Sequence, residues 1–193
     1  MSGARIAGVV LAAGGSMRMR RPKVLLEIDG DPMVRRVVMN VIAIGARPVI
    51  VVAGPEVDGI RSALASLEAA IVENRDWQEG LGSSIRRGIE SLADGAVDGA
   101  LVLLADQPFV TQDHLRGLVA AFEGGEDPVA TRYGDSRGVP ALFGSKWFTD
   151  LRALTGDRGA KTILDRSGAT AVGDGAPPVD IDTEEDYERA SRR

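Results

Sequence analysis

The sequence predicts a three-layer α/β/α sandwich around a mostly parallel central sheet, and three observations carry that expectation. Short β-branched runs alternate with longer amphipathic stretches, the pattern of parallel strands joined by crossover helices. Two of the runs, Gly8-Val9-Val10-Leu11 and Leu101-Val102-Leu103-Leu104, are apolar on both faces, as strands covered by helices on both sides must be. Helix start signals, Asp31 before Pro32 and Thr111 before Gln112, stand where amphipathic stretches begin.

In chain order, strands are expected at Ile6–Ala12, Pro48–Ala53, Ala70–Glu73, Ala100–Leu104 and Pro128–Thr131, with an extended piece near Gly138–Phe143. Helices are expected at Pro32–Ile44, Val57–Leu67, Ser83–Leu92, Gln112–Phe122, Lys146–Leu154 and Gly159–Arg166. Regularity weakens after about residue 124, where Gly124-Gly125, Gly134 and Gly138 punctuate shorter elements. A chain of 193 residues is the size of one well-filled domain. The later part is therefore read as a less regular lobe of a single domain spanning 1–193.

Composition excludes several chemistries. The chain has no Cys and one His, which removes disulfides, thiolate zinc sites, a cysteine nucleophile and His-rich metal clusters. Any catalysis must rest on Asp, Glu, Lys, Arg and backbone groups. The net charge of -5 argues against wholesale binding to nucleic acid or an anionic membrane. No apolar run approaches the roughly 18 residues of a membrane span, and the first residues carry no signal-peptide pattern; a cytoplasmic protein is expected. Charge is also unevenly placed. Up to Lys23 there are five bases and no acid, whereas Asp174 to Glu188 holds seven acids and no base.

Five segments could carry chemistry. In the first, Leu11-Ala12-Ala13-Gly14-Gly15-Ser16-Met17-Arg18-Met19-Arg20-Arg21-Pro22-Lys23 follows a buried strand. Small residues let a backbone approach a ligand closely, successive N–H groups form an anion-binding nest, and Arg18 and Lys23 add charges suited to a polyphosphate. Its spacing matches neither G-x-x-x-x-G-K-[ST] nor G-x-G-x-x-G, and the bland reading is a surface turn with solvated arginines. Position after a central strand favours a ligand, since ligands in open α/β sheets sit at the carboxyl ends of strands. In the second, Asp106 ends an apolar strand, either as a turn former or as a Mg²⁺ ligand beside a nucleotide. In the third, period-two alternation puts Asp180 and Asp182 on one face, and Thr183 with Asp186 forms a capping box for a last helix. The fourth, Asn74 to Gly88, runs a Gly-rich turn into a helix bearing Ser83 and Ser84, which either cap it or contact a base or phosphate. The fifth, Gly156-Asp157-Arg158-Gly159-Ala160-Lys161, is a helix-start turn or an acceptor-phosphate clamp built on Arg158 and Lys161. His114 is expected at the surface, and Trp77 and Trp147 in packing roles.

Taken together, Leu-Ala-Ala-Gly-x-Ser-x-Arg-Met-x-x-Pro-Lys at 11–23, Asn-x-x-Trp-x-x-Gly-x-x-Ser-Ser at 74–84, Leu-x-Asp-Gln-Pro at 104–108, Gly-Asp-Arg-Gly-Ala-Lys at 156–161 and Asp-Ile-Asp-Thr-x-Glu-Asp at 180–186 resemble the MobA-like nucleotidyltransferases, in particular the molybdenum cofactor cytidylyltransferase branch. The resemblance covers nearly the whole chain in the right order. It implies a Rossmann-like nucleotidyltransferase fold, with a nucleotide-binding half at 1–123 and an acceptor-side half at 124–193. It implies that Leu11, Ala12, Ala13, Gly14 and Gly15 lie against the nucleotide, with Ser16, Arg18 and Lys23 around its phosphates. Ser83 or Ser84 would help read the base. Asp106 would hold Mg²⁺ together with Asp180 or Asp182, the latter favoured, and Lys23, Arg18 and Asp106 would form the catalytic set. The Ala-Ala-Gly start resembles the CTP-using branch more than the GTP-using one. The implied acceptor is molybdopterin, the implied recipient of the product a molybdoenzyme, and the reaction transfer of CMP with release of pyrophosphate. Transfer to another small phosphate, such as a sugar phosphate, an isoprenoid precursor or a phosphoenolpyruvate-like acid, is the nearest alternative; a non-catalytic nucleotide or pterin carrier is the other. Two positions depart from the family: Arg20 stands where Gly is usual, and Val139 precedes Pro140 where His or Asn is common.

Overall fold

The chain runs β1 (Ile6–Ala12), a short hairpin of β2 (Glu27–Ile28) and β3 (Asp31–Pro32), α1 (Met33–Ala43), β4 (Val49–Ala53), α2 (Val57–Leu64), β5 (Ala70–Glu73), α3 (Leu81–Glu90), β6 (Gly99–Leu104), α4 (Gln112–Glu123), β7 (Val129–Tyr133), β8 (Ser136–Gly144), α5 (Phe148–Arg152), α6 (Lys161–Ser167), β9 (Thr170–Val172) and α7 (Glu184–Ala190). The computed structural model describes residues 3–15, 21–157, 159–173 and 180–192.

Alternation along β1 sets the layers. Ile6, Val10 and Ala12 face one core with α1, α2 and α4, while Ala7, Val9 and Leu11 face the other with α3, α5 and α6. All seven β1 residues are buried, so burial on both faces of one strand holds three layers together. A fully buried Val or Leu contributes about 1.5–3 kcal/mol. The helix α3 sits close on β1 and β4 because residue 88 is glycine: a Cβ there would overlap the Val9 side chain.

The main sheet has seven strands in the order β5-β4-β1-β6-β8-β7-β9. Strands β5, β4, β1 and β6 run parallel, and β9 is parallel to β7, whereas β8 is antiparallel to both β6 and β7. Residues after 124 therefore extend the same sheet. The chain steps from β1 outward to β4 and β5, then returns to β6 on the other side of β1. That reversal is the switch point at which open α/β sheets bind ligands. The β1–β6 register pairs Leu11 with Leu104, so the loop after β1 leaves the sheet beside Ala105 and Asp106.

Three local readings change. Asp31 does not cap α1: it pairs with Ile28 in β3, and its carboxylate lies 3.2 Å from Arg35. The reason is the Asp29-Gly30 turn, with both residues at positive φ, which makes a tight hairpin out of the residues before the helix. The helix α3 begins at Leu81, two residues before the expected Ser83, because Gly80 takes the N-cap position. The strand β9, three residues long, is too short to show a period in the sequence. Thr111 does cap α4, accepting from the His114 N–H at 3.2 Å, and Thr183 and Asp186 form the capping box of α7. No helix among the described residues is long and apolar enough to cross a membrane.

A third, smaller apolar cluster of Leu26, Ile28, Met33, Ile181 and Ala190 lies under the hairpin and α7. It fastens the end of the chain to its beginning. Ile181 is fully buried, its N–H donates to Asp106 O at 3.2 Å, and Tyr187 Oη donates to Glu27 O at 3.0 Å.

Candidate active site

A cleft of about 430 Å³ opens at the switch point. Leu11, Ala12, Ala13, Gly14 and Gly15 form one wall; Gly80, Leu81 and Ser84 at the start of α3, with Trp77, Gln78 and Asp157, form the other; Lys23, Leu104, Asp106 and Asp182 close one end. Trp77 shapes the first wall as well as the second. Its ring lies on Gly15 so closely that a Cβ at residue 15 would overlap it, so Trp77 packs as expected and borders the cleft too. Trp147 packs in the second core cluster.

The charged end is built by long-range convergence. The Lys23 ammonium donates to Asp106 Oδ2 at 2.6 Å and to Asp182 Oδ1 at 2.8 Å. Burial alone would lower the Lys23 pKa; Asp106 and then Asp182 outweigh it, so the ammonium is held above the ordinary lysine value. Asp106 Oδ1 is buried and has no hydrogen-bond partner among the described residues. A buried carboxylate oxygen without a donor is costly unless a cation or donor joins it.

Among the described residues no group of three or more His, Asp or Glu side chains is placed to hold a metal. Two carboxylates already converge on one cationic atom, and one of their oxygens is unsatisfied. That donor set suits Mg²⁺ or Mn²⁺, which is held by one or two carboxylates and completed by substrate phosphates and water. Alternation does put Asp180 and Asp182 on the side opposite buried Ile181, but they differ in partner: Asp180 Oδ1 accepts from Gln107 Nε2 at 2.9 Å, and Asp182 shares Lys23 with Asp106.

The two serines also part company. Ser84 lines the cleft, whereas Ser83 lines a separate polar groove beyond β5 and spends its hydroxyl on Gly80 O and Asp76 O at 2.9 and 3.0 Å. Lys161 is not brought to the cleft. It starts α6 with an exposed ammonium 3.7 Å from Asp165, one turn along its own helix. Ser16, Arg18, Arg20 and Arg158 lie outside the described residues.

His114 is half-buried, not at the surface, because α4 packs its first turn against β7. Its Nε2 lies 2.8 Å from Thr131 Oγ1, and the buried Thr131 hydroxyl donates to Pro140 O at 2.6 Å, so His114 is the donor. Val139, the other departure, uses its carbonyl to accept from the Tyr133 phenol. Burial pushes the Tyr133 phenol up to about 12. Asn74, Trp77 and Asp157 are site-forming residues to which sequence reasoning gave no ligand role. All three stood inside quoted motifs, and Asp157 reaches the cleft because Gly82 N–H donates to Gly156 O at 2.9 Å, tying its turn to α3.

A small-residue loop and two distant carboxylates meet at the switch point of a mostly parallel sheet, the arrangement that the resemblance to nucleotidyltransferases implies. The chain belongs to the MobA-like NTP transferase domain family, whose model matches residues 8–171. It is 30% identical over 198 residues to the purine catabolism protein PucB of Bacillus subtilis (strain 168), covering 96% of this chain and 95% of that protein. It is also 30% identical over 171 residues to the bifunctional protein GlmU of Rhodospirillum rubrum, but spans only 35% of GlmU. Among solved structures, Rv0371c from Mycobacterium tuberculosis H37Rv superposes with a TM-score of 0.84 at 27% identity, over 98% of this chain and 99% of that one. The same protein has been solved in complex with manganese, with a TM-score of 0.81 and 26% identity over the whole of both chains. The family match ends before Asp180, so it does not reach the second carboxylate of the charged end.

Proposed function

We propose that this protein transfers a nucleoside monophosphate, CMP from CTP in preference to GMP from GTP, to a phosphorylated pterin such as molybdopterin, releasing pyrophosphate, and that a molybdoenzyme receives the product. The observation that carries the reading is Lys23 Nζ held between Asp106 and Asp182 at the end of a cleft with Ala12 to Gly15 in one wall. The Ala-Ala-Gly start of the loop supports CTP, and the molybdopterin acceptor rests on the resemblance of the ordered motifs.

In the reaction an acceptor phosphate oxygen attacks the α-phosphorus in line. The bond from that phosphorus to the bridging oxygen breaks, and pyrophosphate departs with the electron pair. The nucleophile is already ionised near neutral pH, so no general base is needed, consistent with a site without His or Cys. The loop backbone at Ala13, Gly14 and Gly15 orients the phosphates, and Lys23, with Arg18, carries the charge that grows on the leaving group. Asp106 and Asp182 are the residues that would hold Mg²⁺ or Mn²⁺, which when bound neutralises phosphate charge and aligns the two reactants. The manganese complex of the mycobacterial relative supports a divalent ion in this role.

The test is pyrophosphate release with each of the four NTPs, Mg²⁺ or Mn²⁺, and a panel of molybdopterin, sugar phosphates and isoprenoid precursor phosphates. Release with CTP and molybdopterin is expected, and Asp106→Ala should retain the circular dichroism of the fold while losing about 10²-fold or more of the turnover. Nucleotide binding without release for any acceptor would favour a carrier instead.

A further inference from the structure

The polar spine between β5 and α3 says more about how a base is read than the serines do alone. Asn74 follows β5 and is 3% exposed. Its N–H donates to Ala53 O at 2.8 Å, fixing the backbone to the end of β4. Its Oδ1 accepts the Asp76 N–H at 3.1 Å, which decides the amide's orientation: the oxygen must face Asp76, and the NH₂ must face α3. Both amide hydrogens are then used, one on Ser83 Oγ at 2.9 Å and one on Ser84 Oγ at 3.1 Å.

The two hydroxyls receive the same kind of hydrogen bond and pass it on differently. Ser83 directs its proton to Gly80 O and Asp76 O. Ser84, 5% exposed and bordering the cleft, already accepts from Asn74 and has no acceptor for its own proton among the described residues. A hydroxyl whose lone pair is engaged by an amide keeps its proton to give, and on a residue that borders a ligand cleft that proton is available to a ligand.

We propose that Asn74 is a positioning residue that presents Ser84 to the cleft as a hydrogen-bond donor, so that the site selects a nucleobase offering an acceptor at that edge. The proposal rests on the nucleotide-binding reading above and deepens it. Asn74 touches no ligand; it acts through Ser84 alone. Polarity is the point: with a carboxylate at residue 74, the Ser84 proton would turn back to it, and the cleft would meet a lone pair instead of a proton.

The experiment is a double-mutant cycle on nucleotide affinity, using the full chain and equilibrium binding of CTP, GTP, ATP and UTP. The variants are Asn74→Asp, Ser84→Ala and the pair. Asp keeps the size of Asn and the acceptor for Asp76, so circular dichroism and melting establish that each variant folds. Loss of one donor should weaken the preferred nucleotide about 3–10-fold, and Asn74→Asp should weaken it by a similar factor while narrowing the preference between bases. In the Ser84→Ala background, Asn74→Asp should add less than about twofold. Full additivity, or equal weakening for all four nucleotides, would mean that Asn74 merely braces α3, and the proposal falls. An Asn74→Asp chain that does not fold moves the cycle to Asn74→Ser, and full additivity with Ser84→Ala there overturns the proposal in the same way. A wild-type chain that binds none of the four nucleotides overturns the underlying functional reading itself, a result separable from the others.

Discussion

Lys23 is held by carboxylates 83 and 159 positions further along the chain, and it keeps apart two like charges that face one another. Removing it leaves the partly buried Asp106 without its cation, a cost typical of a broken ion pair in low dielectric. Lys23→Ala should therefore lower the melting temperature, and millimolar Mg²⁺ or Mn²⁺ should recover more of that loss in the variant than it adds to wild type. Thermal unfolding with and without metal checks this; a metal effect equal in both chains would argue against a shared cation position. Tyr133 offers a second check. Burial raises its pKa from about 10 to about 12, so the folded chain binds the phenolic proton more tightly than the unfolded one. Its stabilising contribution is complete below about pH 10 and is lost as pH rises toward 12. The denaturant midpoint of wild type should fall relative to that of Tyr133→Phe within that window and nowhere near neutrality.

At the scale of the element, α7 matters for what precedes it. Its capping box, with Asp186 N–H donating to Thr183 Oγ1 at 3.1 Å and Thr183 N–H to Asp186 Oδ2 at 3.0 Å, fixes the helix start directly after Asp182. Thr183→Ala should cost about 1 kcal/mol where helix and chain unfold together. The more telling effect is a higher metal concentration for half-maximal pyrophosphate release, since the cap holds the Asp182 backbone in place. A melting scan and a metal titration measure the two separately. A shift in melting alone would make the cap purely structural. The helix α3 plays the matching part on the other wall: glycine at residue 88 lets it lie close on β1, and that depth is what brings Ser84 to the cleft.

Over the whole molecule, the uneven charge of the two ends becomes a working contact. Arg21 pairs with Glu184 and stacks its guanidinium 5.7 Å from the centre of the Tyr187 ring, while Lys23 pairs with Asp182. A chain ending at residue 179 loses Ile181, Asp182 and α7 but none of the two large core clusters. It should keep the sheet's circular dichroism and lose pyrophosphate release, and retained turnover would remove Asp182 from the charged end. The core strands were legible in the sequence because their signal is local: a run of β-branched residues apolar on both faces must be covered on both, and the small residues ahead of a cluster of bases suggested an anion-binding loop in the same local way. The hairpin at Asp29-Gly30 was equally local, yet Asp31 and Pro32 also read as a helix start, and only strand pairing separates the two. What no local signal contains is which of two neighbouring residues turns inward to a ligand. Ser83 and Ser84 differ by one step on a helix, Asp180 and Asp182 by two on an extended segment, and Lys161 reads as well for a clamp as for a surface lysine. Sequence alone pointed to the fold class and the family, and it proposed a short list of site residues. Choosing among them fell to packing between segments far apart in the chain, because a side chain's partner is set by where the sheet and helices place its backbone, and that placement is a property of the assembled layers and of no single segment.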